Sequence, residues 1–196
     1  MEVIGNIAEM EEKRHGFKYK SCYCEENVYL MGKELSKDRP IHLFHVIFIS
    51  NATRSVLIAH QQPKENGIVV WDYHVCIYDE SSSSIYDLDT RLPFPISATD
   101  YLSKSFPIRV NPELCPSFRL IPLQSYLSFF SSDRSHMLSP TGIFLSPPPS
   151  WDLIQSPMAQ STNEIDKFIS MDSLILSHIS RVLNLDQMIE FVQSHS

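Results

Sequence analysis

The stretch from Trp71 to Thr90 limits the possible folds more than any other. Trp71-Asp72-Tyr73-His74-Val75-Cys76-Ile77-Tyr78 and Ile85-Tyr86-Asp87-Leu88-Asp89-Thr90 are rich in aromatic and β-branched residues, and the acidic and serine run between them has nothing to bury. These are the signals of strand, turn and strand. A four-residue loop over 79–82 sets Tyr78 opposite Ser83, Cys76 opposite Ile85 and His74 opposite Asp87. Opposed residues hold their Cβ atoms about 4.5–5.5 Å apart, so an imidazole N–H reaches a carboxylate there. A slip of one residue turns Asp87 to the other face, and a slip of two offers Asp89 instead. Periodicity therefore leaves Asp87 and Asp89 both open as the partner of His74. The plainer alternative is an ordinary surface ion pair on a hairpin.

A chain of 196 residues with 43% hydrophobic and 11% aromatic content can bury one substantial core, and its length does not require two. The net charge of −7 argues against a nucleic-acid partner, which needs a concentrated basic face. Four cysteines, Cys22, Cys24, Cys76 and Cys115, match neither a disulfide scaffold nor a paired metal spacing, so reduced thiols are expected. No run approaches the roughly 18 apolar residues of a membrane span, and Met1 to Met10 has no apolar signal-peptide core. The expectation is a cytoplasmic protein, or one shared with the nucleus, and a monomer.

Residues 1–20 read as a flexible polar arm and 21–196 as a single catalytic domain. From Cys24 the apolar positions Cys24, Val28, Met31 and Leu35 follow one helix face. Glu25 and Glu26 suit the positive end of its dipole. His42 to Ile49 is nearly continuous in apolar and aromatic residues, as a central strand is. Val56 to His60 reads as a second strand, and 63–67 as a turn into the strand carrying His74, so four strands form an antiparallel meander. Ser97 caps a short helix from Ala98 to Phe106. Phe118 to Ile121 reads as a fifth strand and Ser125 to Phe130 as a helical turn or two. Residues 138–160, with five prolines, read as a surface loop. The C-terminal part reads as helical from Asn163 to Ile169, continues as an apolar segment to Leu183, and ends in a helix with Asn184 and Gln187 as capping box. The fold class is α+β, a mostly antiparallel sheet with helices on both faces.

His74 with a carboxylate makes two-thirds of a catalytic triad, and cysteine is the natural nucleophile. Cys24 begins a helix, where unpaired N–H groups and the dipole favour a thiolate, although Glu25 and Glu26 oppose it. The other reading is a buried helical cysteine that packs as a small hydrophobe. Cys22 falls outside the apolar phase, and Cys76 lies two residues along the strand from His74. His42, His45 and His60 match no zinc spacing. The polar Ser132 to Met137 stretch either folds near the site or forms a hydrogen-bonded loop.

Five blocks together are similar to the protein N-terminal glutamine amidohydrolase family: Cys22 to Val28, Trp71 to Val75, Tyr86 to Thr90 with Leu92-Pro93-Phe94-Pro95, Ser132 to Met137, and Phe168 to Asp172. They run in family order from residue 22 to 172. The chain departs from the family pattern at Phe144, where a tryptophan is usual, and resembles it weakly beyond Asp172. The resemblance implies an α/β/α sandwich like that of transglutaminases and papain-like hydrolases. It also implies Cys24 as nucleophile, His74 as base and Asp87, rather than Asp89, as acid. The implied reaction converts an N-terminal glutamine to glutamate with release of ammonia, through a thioester, without metal or cofactor. The implied partners are proteins or peptides with a free N-terminal glutamine, in the arginylation branch of the N-degron pathway. Selectivity for a chain terminus needs a group for the free α-ammonium, and Glu25 and Asp79 are the candidates. The same triad would serve a cysteine peptidase or transglutaminase-like enzyme, and the same fold an inactive interaction module.

Overall fold

The structure, a computed structural model, describes residue 14 and residues 16–62, 67–107 and 112–195. Helix α1 (Cys24–Leu35) forms where the apolar phase predicts it, with Val28 and Met31 buried beneath it. Most of the expected 1–20 arm, residues 1–13 and 15, lies outside the described residues. Phe17 packs against the core, and the Lys20 backbone N–H donates to Asn27 Oδ1 at 2.8 Å, closing the chain onto the start of α1.

The strands follow as β1 (Phe44–Ser50), β2 (Val56–Ile58), β3 (Val69–Trp71), β4 (His74–Asp79), β5 (Ser84–Tyr86) and β6 (Ile96–Ser97). After α2 (Ala98–Ser105) come β7 (Ser117–Pro122), α3 (Leu123–Phe129), α4 (Ile165–Ile169), β8 (Arg181–Asn184) and α5 (Leu185–Gln193). Six strands make one sheet in the order β6-β5-β4-β1-β7-β8, and every paired neighbour is antiparallel. β1 is central, as its continuous apolar run predicts.

Alternation along β1 divides the core. Phe44, Val46 and Phe48 face α1, α3 and α4, together with Val75, Ile77, Tyr126, Phe130 and Phe168. Ile47 and Ile49 face α2 and α5, with Tyr78, Tyr101, Met188 and Val192. Helices thus cover both faces, and the protein is α+β with a mostly antiparallel sheet.

Three expectations need correction. The meander is wrong: β2 and β3 pair only with each other, in a separate two-stranded sheet, and β1 pairs directly with β4. The chain breaks between β3 and β4 at Asp72-Tyr73, where the Tyr73 N–H turns to Asp72 Oδ1 at 2.9 Å. The β4–β5 register is offset by two residues, with Tyr78 opposite Ile85 and Asp79 opposite Ser84, because the turn begins at Glu80. Asp79 stitches that turn, accepting from the Ser81 N–H and from the Ser81 and Ser82 hydroxyls. Finally, the apolar segment before the last helix ends as the edge strand β8 on β7 rather than as helix. The local signals did hold: Ser97 caps α2, and Asn184 with Gln187 closes the capping box of α5.

Candidate active site

Antiparallel pairing of β1 and β4 sets Ile49 against His74, so the histidine stands at the very start of its strand. Its Nε2 lies 2.8 Å from Asp87 Oδ1, with both side chains fully buried. The shifted register makes Asp87 a diagonal rather than a direct neighbour. It reaches because the chain leaves β5 after Tyr86 and pairs instead with residues 60–62. The Gln62 N–H donates to Asp89 O at 2.8 Å, and the Arg91 N–H donates to His60 O at 2.6 Å.

Asp87 is saturated with donors. Besides His74, it accepts from the Asp89 N–H at 2.9 Å, Tyr101 OH at 2.9 Å and Gln61 Nε2 at 3.2 Å. Burial pushes the carboxyl pKa up, but the neighbouring imidazole and these donors outweigh it, and the net shift is down. Burial likewise disfavours the imidazolium of His74. The Asp87 charge and hydrogen bond, with Asp89 behind them, overcome that and raise its pKa. Trp71 stacks on the ring at 5.4 Å between centroids, so edge and face are both fixed. The other ring nitrogen, Nδ1, is buried and has no hydrogen-bond partner.

Cys24 is the first residue of α1, which packs against β4, and its side chain lies in the same buried cluster as Val75. No side chain caps the start of that helix, so its backbone N–H groups remain available. The thiol is close to the Val75 backbone N–H, one residue beyond His74, and its S–H points to Glu25 Oε2 at 3.7 Å. The thiol makes no hydrogen bond to His74 here. Such bonds are often long in free enzymes and tighten on binding. Burial, then the charges of Glu25, Asp89 and Asp72, hold the thiol pKa well above its ordinary value, while the Val75 N–H pulls it down. The surroundings of the free thiol therefore oppose its ionisation, with Glu25 acting in the direction the sequence suggests.

A pocket of about 320 Å³ opens beside the cysteine, lined among others by Cys22, Trp71, Asp72, Tyr73, Asp89 and His136. Glu25 sits behind its wall with no exposure. Tyr73 OH donates to Oε2 at 3.0 Å, whereas Oε1 is buried without a hydrogen-bond partner, 3.6 Å from His136 Nε2. The structure does not bring Asp79 to this place. It lies at the far end of β4 from His74, bound to Arg39 Nη2 at 2.5 Å.

Sequence reasoning passed over several residues that the fold gathers here. In the sequence Trp71 signals only strand, Asp89 only a rival partner for His74, and His136 belongs to a stretch open to either a place near the site or a hydrogen-bonded loop. The polarity of Ser132 to Met137 was the signal for the last of these, since the stretch does fold against the pocket. His74, Asp87 and Asp89 offer potential metal-ligand atoms within 4.8 Å of one another. Asp87 and His74 Nε2 are already committed to each other, and a cation there would displace existing donors.

Comparison with known proteins places the chain in a family. The family model described as N-terminal glutamine amidase matches residues 19–192. The chain is 40% identical over 162 residues to the Protein N-terminal glutamine amidohydrolase of Bos taurus, covering 79% of this chain and 77% of that protein. It is 38% identical over 162 residues to the protein of the same name from Homo sapiens, covering 79% and 78%, and 38% identical over 162 residues to that of Danio rerio, covering 79% of each. The chain thus belongs to the N-terminal glutamine amidase family.

Proposed function

We propose that this protein hydrolyses the side-chain amide of an N-terminal glutamine, giving an N-terminal glutamate and ammonia. The observation that carries the mechanism is the state of His74, with Nε2 locked on Asp87 and Nδ1 buried without a hydrogen bond, on the strand against which the Cys24 helix packs. A histidine tethered on one side and bare on the other is built to exchange a proton on the bare side.

The thiol of Cys24 passes its proton to His74 as sulfur attacks the amide carbon. The imidazolium, stabilised by Asp87, protonates the departing nitrogen, which leaves as ammonia. The resulting thioester is hydrolysed by a water whose proton returns to His74, and cleavage of the carbon–sulfur bond restores the thiol. The uncapped N–H groups at the start of α1 are the donors for the developing oxyanion. Every step uses groups of the chain and water. The arrangement follows that of transglutaminases and papain-like hydrolases, with residues 21–196 acting as one catalytic domain.

Glu25 supplies the selectivity for a free terminus. A buried carboxylate oxygen without a hydrogen bond is costly, and a substrate α-ammonium satisfies it while an acylated amine does not. The substrates are polypeptides with a free N-terminal glutamine, and the products enter the arginylation branch of the N-degron pathway. A monomer in the cytoplasm or nucleus suffices for this, without nucleic acid or membrane.

The test is ammonia release from a peptide beginning with glutamine, beside its N-acetylated copy, a peptide beginning with asparagine, and the Cys24→Ala protein. Release confined to the free glutamine terminus and lost in Cys24→Ala is expected. Release from the acetylated copy would make the enzyme a broader amidase. For Glu25→Gln the expected change is a KM for free-amine peptides roughly thirtyfold higher or more, since losing one partner of a buried charge pair costs roughly 2 kcal/mol at least. An unchanged KM removes Glu25 from this role.

A further inference from the structure

Asp89 is a charge that the reaction above leaves unused. It is 4% exposed, at the pocket that Cys24 and Trp71 also line. Asp87, two residues before it, commits both carboxylate oxygens to fixed donors. Asp89 does not. Tyr19 OH donates to its Oδ1, and no other hydrogen bond reaches its carboxylate among the described residues. Its Oδ2 is not one of the sealed atoms without a hydrogen bond, as Glu25 Oε1 is, so the small exposure of Asp89 includes this oxygen.

Keeping a charge there is costly. Burial, with Asp87 beside it, pushes the Asp89 carboxyl pKa up against the pull of His74, Tyr19 and Arg14. Its charge also adds to burial and Glu25 in raising the pKa of the Cys24 thiol. An acceptor left open at such a cost, beside a nucleophile that it opposes, marks a substrate contact. Position decides which part of the substrate it meets. A carboxylate oxygen of Asp89 and a ring nitrogen of His74 lie within 4.8 Å of each other. The leaving nitrogen takes its proton from His74, so it stands against that ring, where Cys24 and Asp89 share the pocket wall.

The geometry points to Asp89 as the acceptor for the amide N–H2 of the substrate glutamine, and so as a residue that selects carboxamide over carboxylate. The inference rests on the proposed amidase reading, because it assigns a contact to the amide that is cleaved. Asp89 Oδ2 accepts from the N–H2 of the bound side chain. As the carbon–nitrogen bond breaks, its electron pair stays on nitrogen, which has taken the His74 proton, and ammonia leaves. The nitrogen is cationic while it holds that proton and is still bonded to carbon, and Asp89 stabilises this charge. After the thioester is hydrolysed, the new γ-carboxylate faces the same anion and is repelled, which favours release of the product.

The experiment sets a peptide beginning with glutamine beside two copies, one beginning with the γ-methyl ester of glutamate, which has the carbonyl but no N–H to give, and one beginning with glutamate. Calorimetry with the Cys24→Ala protein is expected to rank them glutamine, ester, glutamate, with roughly tenfold between the first two. Asp89→Asn keeps an acceptor for Tyr19 and turns an N–H2 toward the pocket. Its kcat/KM for ammonia release is expected to fall roughly thirtyfold, while kcat/KM for methanol release from the ester, above the spontaneous loss, stays within about threefold. Inhibition by the glutamate peptide is expected to tighten in the same variant. Equal affinity of Cys24→Ala for glutamine and ester peptides overturns the assignment and leaves the amidase reading intact. So does an equal fall for both substrates in folded Asp89→Asn, which would give Asp89 to the positioning of His74 or to the α-ammonium. Circular dichroism checks that Asp89→Asn folds; where it does not, the calorimetric ranking alone decides. No ammonia from the glutamine peptide with the wild-type protein overturns the amidase reading and this assignment together.

Discussion

Two buried charge networks start from adjacent residues of α1 and differ in one respect. Around Glu26 the network is closed. Arg134 donates to both carboxylate oxygens at 2.8 and 2.9 Å, Trp151 Nε1 adds a third bond at 2.7 Å, and the remaining guanidinium donors reach the carbonyls of Pro149 and Trp151. Around Glu25 and His74 the network is open, because Glu25 Oε1 and His74 Nδ1 are buried with no hydrogen-bond partner. Same helix turn, same residue type and same lack of exposure lead to opposite outcomes. The closed network ties the 138–160 segment to α1 and has no spare valence for chemistry. The open one leaves a carboxylate oxygen, 3.6 Å from His136 Nε2, and a ring nitrogen without hydrogen bonds, a cost that a bound ligand offsets.

Breaking the open network gives the largest effect. Asp87→Asn keeps the shape of the site but removes the charge that favours the imidazolium, and kcat is expected to fall by about 10⁴. Its pH profile supplies the sign. In the wild type the raised pKa keeps His74 protonated to higher pH, and kcat/KM rises as pH rises through that value. In Asp87→Asn burial is no longer opposed, so the acid limb moves to lower pH. An unmoved limb would separate Asp87 from the histidine that titrates.

Breaking the closed network acts on stability instead. Arg134→Met strands Glu26 as a buried carboxylate, and about 3–5 kcal/mol of loss is expected. For a chain of this size that lowers Tm by roughly 10 °C. Thermal unfolding followed by circular dichroism measures it, and a change below about 1 kcal/mol would mean that the pair is not closed in solution. The smallest effect belongs to Arg39, part-exposed at the far end of β4 from His74. Arg39→Ala is expected to change stability by less than about 1 kcal/mol and to leave KM unaltered. A rise in KM would return Asp79 to the substrate site.

Local chemistry made part of this legible. The phase of Cys24, Val28 and Met31, the Ser97 cap and the Asn184–Gln187 capping box all lie within one or two helical turns, and each appears where the residues predict it. Pairing of His74 with an aspartate was also readable, because a period of two kept both Asp87 and Asp89 on its face of the hairpin. Which of them bonds was not readable from periodicity. The turn starts one residue later than the simplest count, so the register alone favours Asp89. Asp87 wins because residues 60–62 draw the chain out of β5.

By itself, then, the sequence determined the helix that begins at Cys24, the central strand, the hairpin that bears His74 and the α+β class, since these follow from short-range periodicity and capping. Tertiary structure alone decided three things: that Glu26 meets Arg134 across 108 positions, that Glu25 is left with a bare oxygen, and that Trp71 lies on the ring of His74. Glu26 and Arg134 are too far apart to share a pattern along the chain, and Trp71 stacks on His74 only because the chain breaks between β3 and β4. Burial, which sets what an unpaired oxygen or nitrogen costs, is a property of the packed whole.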